Sequence, residues 1–592
     1  MIRLTSLSRA LFLLGLLSAA PLLAQEAPQR APEIATGFQE KQAAVAHKYM
    51  AAAANPLAAA AGYEMLKQGG TAVDAAVAIQ MVLTLVEPQS SGIGGGAFIM
   101  FYDGKKVRSY DGRETAPASA TEKLFQLPDG RPMSREQGIV GGRSVGAPGA
   151  VRVLELAHKA HGKLPWKTLF EPAIRLAENG FAVSPRLNAL LNWDKHIRKD
   201  PVAGPYFYDE QGNARPVGYL LKNPALAKTL REIAEGGADA FYKGHIAKDI
   251  AARVQGHPSN PGGLTVADIE GYQPKVREPI CTDYRVWQVC GMPPPSSGGL
   301  IIGEMLGMFA IKDLRPYPPQ KGELQPEAVH LFSEVGRLAY ADRDRYLADP
   351  DFVPLPGKGV ASLLHPAYLA KRAALIGERS MGRAAPGKPD DLNVAWGTDN
   401  AIENPSTSHV VAVDAYGGAL SMTTTIEDAF GARMMVDGFI LNNQLTDFSF
   451  ASQDEYGPVA NRVQAGKRPR SAMSPTLVFD KRTGELVLAT GSPGGTAIVN
   501  YVAKVLVGTL DWGLDVQQAI SLPNFGSRNG PTELEAKRAP QSLIDALQAK
   551  GHQVRVIEQT SGLQGIMRAT VNGQKVWLGG ADPRREGVAR GD

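Results

Sequence analysis

The sequence predicts a mixed α/β protein whose sheets are covered by helical layers. Three observations lead there. Helix signals are dense over residues 55–88 and again over 149–236. After residue 405 the texture changes to short apolar runs separated by turn residues, the mark of hairpins. Helical patterns at about 497–511 and 540–550 lie between those hairpins. Strands with interposed helices bury sheet faces under helices.

Arg3 and Arg9 precede a short apolar core at residues 10–17, and Leu22-Leu23-Ala24 offers a cleavage site before Gln25. Residues 1–24 therefore read as a secretory signal, with a core too short to span a bilayer. The expectation is a periplasmic or secreted protein with no membrane span once the signal is removed. Residues 25–45 are a polar lead-in. Asn55-Pro56 places an N-cap before a proline at the first helical position, and Gly69-Gly70 ends that helix. Thr71 or Asp74 opens the next helix, which stops before Pro88. Its apolar run is interrupted by Asp74 and Gln80, so it reads as a buried helix. The glycines of 92–96 lack the Gly-Lys-Ser/Thr of a phosphate loop and indicate a tight backbone approach. A strand over 97–102 and a turn at Asp103-Gly104 follow.

Residues 383–405 are polar, with three prolines, and read as an exposed linker. Beyond them, strands 410–413 and 419–424 flank a turn, as do 477–479 and 486–490. Strands 568–571 and 575–578 flank Asn572-Gly573, a strong tight-turn signal. Cys281 and Cys290 bracket two short strands; a disulfide across that hairpin and a pair of free thiols both fit the spacing.

The chain has 592 residues, 44% apolar and 21% charged, with a net charge of +4. Two of those positive charges lie in the signal, and no basic run with interleaved aromatics exists, which argues against a nucleic-acid partner or an anionic membrane. The ten histidines are scattered without ligand spacing. No metal and no cofactor are expected.

The stretch Ser406-Thr407-Ser408-His409 opens an apolar strand deep inside the chain. Cleavage before Thr407 would place a hydroxyl and an α-amine on one residue. A free α-amine has a pKa of about 7.7–8.0 and accepts a proton near neutrality, which activates a weak hydroxyl nucleophile without a separate base. Gly142-Arg143-Ser144-Val145-Gly146 matches a nucleophile-elbow pattern but lacks the helix directly after it. Gly491-Ser492-Pro493-Gly494-Gly495 follows a strand and precedes a helix, where backbone N–H groups can face an oxyanion. Arg113, in Asp111-Gly112-Arg113-Glu114-Thr115-Ala116-Pro117, suits a carboxylate clamp. Residues 442–448 offer amides and Asp447 for an ammonium.

Together these pieces resemble the γ-glutamyltransferase family of N-terminal nucleophile hydrolases. The resemblance runs from about residue 50 to 583, through 55–70, 86–96, 111–117, 292–299, 339–350, 407–414, 467–476 and 491–495. It implies a four-layer αββα sandwich made as one precursor that cuts itself between Ser406 and Thr407. The products would be a large subunit, 25–406, and a small subunit, 407–592, that stay associated as one body. The resemblance further implies that Thr407 attacks the γ-carbonyl of glutathione or a related γ-glutamyl compound, with Thr425 bonded to the nucleophile. Gly494 and Gly495 would form the oxyanion hole. Arg113 and Ser471 would hold the donor α-carboxylate; Gln444 and Asp447, with Glu427 nearby, its α-ammonium. The acyl group would pass to water or to an amino-acid or peptide acceptor.

Three points depart from the family pattern or vary within it. Glu427 stands where some relatives have asparagine. Ala472 replaces the second serine of the usual pair. The lid region, 449–466 with Tyr456, is shorter than in some bacterial relatives. Three rivals follow: a glutaryl/cephalosporin acylase of the same fold, an uncleaved periplasmic binding protein, and cleavage one residue later, with Ser408 as the terminus.

Overall fold

A computed structural model describes residues 37–592 apart from 402 and 405. The expected signal, 1–24, and most of the polar lead-in lie outside the described residues. Two seven-stranded sheets form the body. Across the first the order is Val588–Gly591, Met50–Ala53, Ser406–Val413, Ala419–Glu427, Gly96–Tyr102, Val107–Gly112 and Lys275–Arg277, every pair antiparallel. Across the second it is Ala44–Ala46, Gln574–Ala581, Gln564–Val571, Leu486–Gly491, Thr476–Asp480, Trp287–Gly291 and Ile280–Tyr284, again antiparallel.

Side-chain alternation assigns the layers. Val410 and Ala412 pack with Ala51, Ala53, Ile99, Leu420 and Met422 into the core under helices Pro56–Lys67, Ala72–Val86 and Ala150–His161. Val411 and Val413, one residue out of phase, join Ala52, Phe98, Met100, Leu477 and Leu488 in the other core. That core also takes in helices Gly298–Phe309, Pro326–Tyr346 and Ile498–Leu510. The sheets touch directly: Ser421 Oγ donates to the Thr490 carbonyl at 2.9 Å and accepts from Thr476 N at 3.2 Å. The result is helix, sheet, sheet, helix. A strand buried on both faces has to be apolar throughout, which is why 410–413 does not alternate. Each such valine contributes about 1.5–3 kcal/mol on burial.

Local signals set the element ends. Thr71 caps helix Ala72–Val86 through a reciprocal capping box with Asp74, whose carboxylate also accepts from Lys163 N at 3.0 Å. Asn572 and Gly573 take φ of 50° and 78°, as a two-residue hairpin turn requires. The turn residues 92–96 do approach other backbone closely: a Cβ on Gly95 would sit 2.9 Å from the Thr425 carbonyl carbon.

One expectation is corrected. Residues 383–405 are not an exposed linker throughout, because Asp399, Glu403 and Asn404 are buried. Charge is the reason: Asp399 lies 2.9 Å from Arg470 Nη2, and Glu403 pairs with Arg343. Cys281 and Cys290, directly opposed on neighbouring strands, form a disulfide at the edge of the second sheet. Replacing both by serine is expected to lower stability by about 2 kcal/mol, since the bridge closes only a short loop. Turnover should stay unchanged. A thermal melt and a rate measurement on the same preparation check both.

Candidate active site

The strand Ser406–Val413 is buried along its whole length and begins at the expected junction. Thr407 lies opposite Thr425, and the register shifts between Ser406 and Thr407 so that Ser406 lies opposite Glu427. One hydroxyl organises this spot. Thr425 Oγ1 donates to the Ser406 carbonyl at 2.7 Å and lies 3.2 Å from Thr407 Oγ1. It also accepts from Glu427 N at 2.9 Å. With its proton on Ser406, the Thr425 oxygen is left to accept from Thr407. Ser406 Oγ bonds the Gln89 carbonyl, and Arg585 Nη1 donates to the Thr407 carbonyl at 3.2 Å.

Successive strand residues face opposite ways. Ser408 therefore points away from Thr425, and its Oγ lies 3.1 Å from Ser91 Oγ. His409 shares the Thr407 face. Its Nδ1 lies 2.9 Å from Thr423 Oγ1, and burial pushes its pKa down to about 3. The ring is neutral at working pH and sits between the sheets as a structural group.

Gly494 and Gly495 make the turn from strand Leu486–Gly491 towards helix Ile498–Leu510, with φ of 138° and 55°. Those angles are open to glycine and strained for other residues. The turn also has to be bare, since a Cβ on Gly495 would lie 2.8 Å from the Asn404 carbonyl carbon. Helix N-termini carry partial positive charge, so an oxygen at this turn gains from the helix behind it.

Arg113 is fully buried at the end of strand Val107–Gly112. Its Nε donates to the Pro469 carbonyl at 3.1 Å, and Nη2 to the Arg470 carbonyl at 2.7 Å and Asp447 Oδ2 at 2.5 Å. Burial works against its charge, but Asp447 and Glu114 hold its pKa above the usual arginine value. Gln444 Nε2 donates to the same Asp447 oxygen at 2.8 Å. Three buried atoms of this cluster have no hydrogen-bond partner: Arg113 Nη1, Gln444 Oε1 and Asp447 Oδ1. Burial raises Asp447, against the pull of Arg113. Burial also raises Glu114, up to about 8, again with Arg113 opposing. Ser471, next to Arg470, accepts from Met473 N at 3.2 Å; Ala472 is buried beside it and offers no hydroxyl.

Residues just before the junction bond to Arg343, Arg470 and Glu427. The Glu403 carboxylate pairs with Arg343 and lies 3.5 Å from Arg470 Nε. Although burial opposes its charge, Arg343, Arg470 and Arg113 keep its pKa below the ordinary value. Asn404 N donates to Glu427 Oε1 at 2.9 Å. Farther out, Tyr456 is exposed within segment 449–466, with the Arg345 guanidinium 4.7 Å from its ring centre.

A family model described as Gamma-glutamyltranspeptidase matches residues 58–591. The chain belongs to the gamma-glutamyltranspeptidase family. It is 36% identical over 564 residues to a glutathione hydrolase proenzyme of Bacillus subtilis, covering 93% of this chain and 92% of the relative. It is 34% identical over 589 residues to a glutathione hydrolase proenzyme of Escherichia coli, covering 97% of each. Among solved structures, the cephalosporin acylase from Bacillus halodurans superposes with a TM-score of 0.80 at 28% identity, covering 96% of this chain and 99% of that one. These findings bear out the αββα architecture and the assignment to hydrolase and acyltransferase chemistry.

Within this family member, the structure gathers the residues singled out from sequence, Gly494 and Gly495 aside, into two groups. Thr407, Thr425, Ser406 and Glu427 are linked by hydrogen bonds or strand register; Arg113, Asp447 and Gln444 are linked by hydrogen bonds, with Ser471 and Ala472 alongside. The Ser144 hydroxyl of the elbow-like motif is buried and bonded to the carbonyls of Ile139 and Gly141. Sequence reasoning missed Glu403, Arg343, Arg470, Arg585 and Arg135. Arg470 lies inside a family-like stretch, 467–476, and a search for cations there would have found it. Arg135 carries no sequence signal.

Proposed function

We propose that this chain is a self-cleaving γ-glutamyltransferase. Thr407 Oγ attacks the Ser406 carbonyl carbon, and the C–N bond to Thr407 breaks as its nitrogen takes the proton. Water then hydrolyses the ester, leaving a carboxylate on Ser406 and a free hydroxyl and α-amine on Thr407. The Thr425 hydroxyl, bonded to the scissile carbonyl in the uncut chain, polarises it for that attack. After the cut it is free to orient Thr407 Oγ.

Freed, Thr407 attacks the γ-carbonyl of glutathione or a related donor, with its own α-amine as base. Gly494 and Gly495 stabilise the oxyanion, a contribution of about 3–4 kcal/mol per donor. Arg113 and Ser471 hold the α-carboxylate, with Ala472 supplying shape alone. Gln444, Asp447 and Glu427 hold the α-ammonium. The γ-glutamyl ester passes to water or to an amino-acid or peptide amine. The large and small subunits, 25–406 and 407–592, stay joined, since strand 407–413 lies between strands of both. Export through the signal at 1–24 would place the enzyme in the periplasm or outside the cell.

The observation that carries this reading is the set of buried atoms on Arg113, Gln444 and Asp447 that no hydrogen bond satisfies, Arg113 Nη1 having only Glu114 Oε2 at 3.9 Å. Such atoms are costly unless a ligand completes them, and one donor with two acceptors suits an amino-acid end. Release of p-nitroaniline from γ-glutamyl-p-nitroanilide, with denaturing mass spectrometry of the same sample, tests it. A single uncut chain without turnover would return the binding-protein reading. The acylase reading draws on the Bacillus halodurans likeness and on Ala472; faster turnover of a glutaryl amide than of its γ-glutamyl counterpart would favour it.

Thr407→Ser is expected to cut and turn over, but each step several-fold more slowly, because the lost methyl frees χ1. A cleavage time course and kcat on the cut fraction check this. Undiminished rates would remove the positioning role of the methyl.

A further inference from the structure

Arg135 begins the short helix Arg135–Ile139, which is fastened by a capping box from Ser134 to Gln137. Its guanidinium reaches two separate parts of the candidate ammonium site. Nη1 donates to the Thr446 carbonyl at 3.2 Å, inside the turn Gln444–Asp447. Nη2 lies 3.6 Å from Glu427 Oε1, at the end of strand Ala419–Glu427. Phe450 backs the guanidinium at 5.6 Å from its ring centre and is itself stacked on Phe125 at 4.3 Å. The side chain is 24% exposed, while Glu427 is 1% exposed.

The other partners of Glu427 make Arg135 matter more. Oε2 accepts from Asn443 Nδ2 at 2.5 Å, and Oε1 from Asn404 N. Asn404 precedes the proposed cut, so its hold on Oε1 depends on a chain end created by cleavage. The next residue, Asp428, pairs with Arg433 at 2.8 Å. Burial, with Asp447 and Asp428, pushes the Glu427 pKa well up, and Arg135 is the cation opposing that rise. Two carboxylates in one pocket do not both ionise easily unless each has its own cation. Arg113 serves Asp447; Arg135 is placed to serve Glu427.

We infer that Arg135 is a positioning residue for donor specificity: it ties Glu427 to the Gln444–Asp447 turn so that both carboxylates face the donor α-ammonium. This rests on the γ-glutamyl reading and adds to it a residue from the large-subunit side that acts through the small-subunit side. The ligand class it selects is an α-amino dicarboxylic acid over the same acid without the amine.

L-Glutamate and glutarate differ only in that amine. Their inhibition constants against γ-glutamyl-p-nitroanilide hydrolysis therefore isolate the effect. Arg135→Gln is expected to raise the Ki of L-glutamate roughly tenfold, equivalent to about 1.4 kcal/mol. The Ki of glutarate and kcat should stay within about twofold. Glu427→Gln should raise the Ki of L-glutamate at least as much, with a change in turnover of its own, and Arg135→Gln added to Glu427→Gln should raise that Ki little further, because both remove one coupled interaction. Arg135→Lys restores the charge without the two-pronged grip and should show the same split at about threefold. It carries the test if Arg135→Gln does not fold. Equal rises for glutamate and glutarate, multiplicative single-variant effects, or no change in either constant would overturn the inference. Wild-type enzyme without γ-glutamyl turnover would overturn the functional reading itself; turnover with an unselective Arg135 effect overturns only this inference.

Discussion

Thr407→Ala is expected to leave the chain uncut and inactive. The substitution removes the attacking oxygen and, by preventing the cut, the α-amine that would activate it. Turnover should fall by about ten-thousand-fold or more, the scale seen when a covalent nucleophile is deleted. The fold should survive. Thr407 sits in a strand paired on one side along 407–413 and on the other along 410–413, and an alanine fits that backbone. Thr425 Oγ1 loses a neighbour at 3.2 Å but keeps the Ser406 carbonyl and Glu427 N. Denaturing mass spectrometry should find one polypeptide for the variant. The wild type should yield two, the smaller beginning at Thr407. Circular dichroism should match between them. A variant that still divides before residue 407 would show that another group makes the cut, and Ser408 would then be the next candidate. Its hydroxyl faces Ser91 on the opposite side of the sheet, away from Thr425.

Arg113→Lys is the second large effect. Arginine at this point satisfies three partners from one planar group: the Pro469 and Arg470 carbonyls and the Asp447 carboxylate. A lysine ammonium is a point charge and does not span that arrangement. The proposed donor α-carboxylate would lose its partner at Nη1, while Asp447 would keep a poorer counter-ion. The expected loss in kcat/KM is about 2–4 kcal/mol, or roughly 30- to 1,000-fold, expressed mostly in KM. A stability cost accompanies it, because weakening one side of a buried ion pair leaves the other side exposed to the full cost of burial. Saturation kinetics and a thermal melt of the same variant separate the two. A KM unchanged within error would mean that Arg113 holds the turn in place and never meets the donor.

What could be read from the chain alone was local or periodic. The helix start at Thr71 or Asp74 and the Asn572-Gly573 turn each depend on neighbours within a few residues. Short-range sterics and hydrogen bonding decide them before any tertiary contact forms. The family resemblance was legible for a related reason, since its residues sit in short stretches whose order along the chain is preserved.

The failures came where partners are far apart in sequence. Residues 383–405 look like an exposed linker because they are polar and rich in proline. Yet Glu403 and Asp399 are buried, held by arginines at 343 and 470. Composition prices a carboxylate as solvent-exposed; only a buried guanidinium reverses that. Arg113 and Asp447 are separated by 334 positions and meet at 2.5 Å. Arg135 reaches Thr446 and Glu427 from a hydrophilic segment with no distinguishing pattern. By itself, then, the sequence determined the layered α/β class, the family and many of the element ends. Only the tertiary structure decided which buried charges meet, which side of the sheet each hydroxyl faces, and that Glu403 pairs with Arg343 and Arg470 while Asn404 bonds Glu427. Charge pairing across long loops leaves no local trace, because its free energy appears only once the chain has brought the partners out of water together.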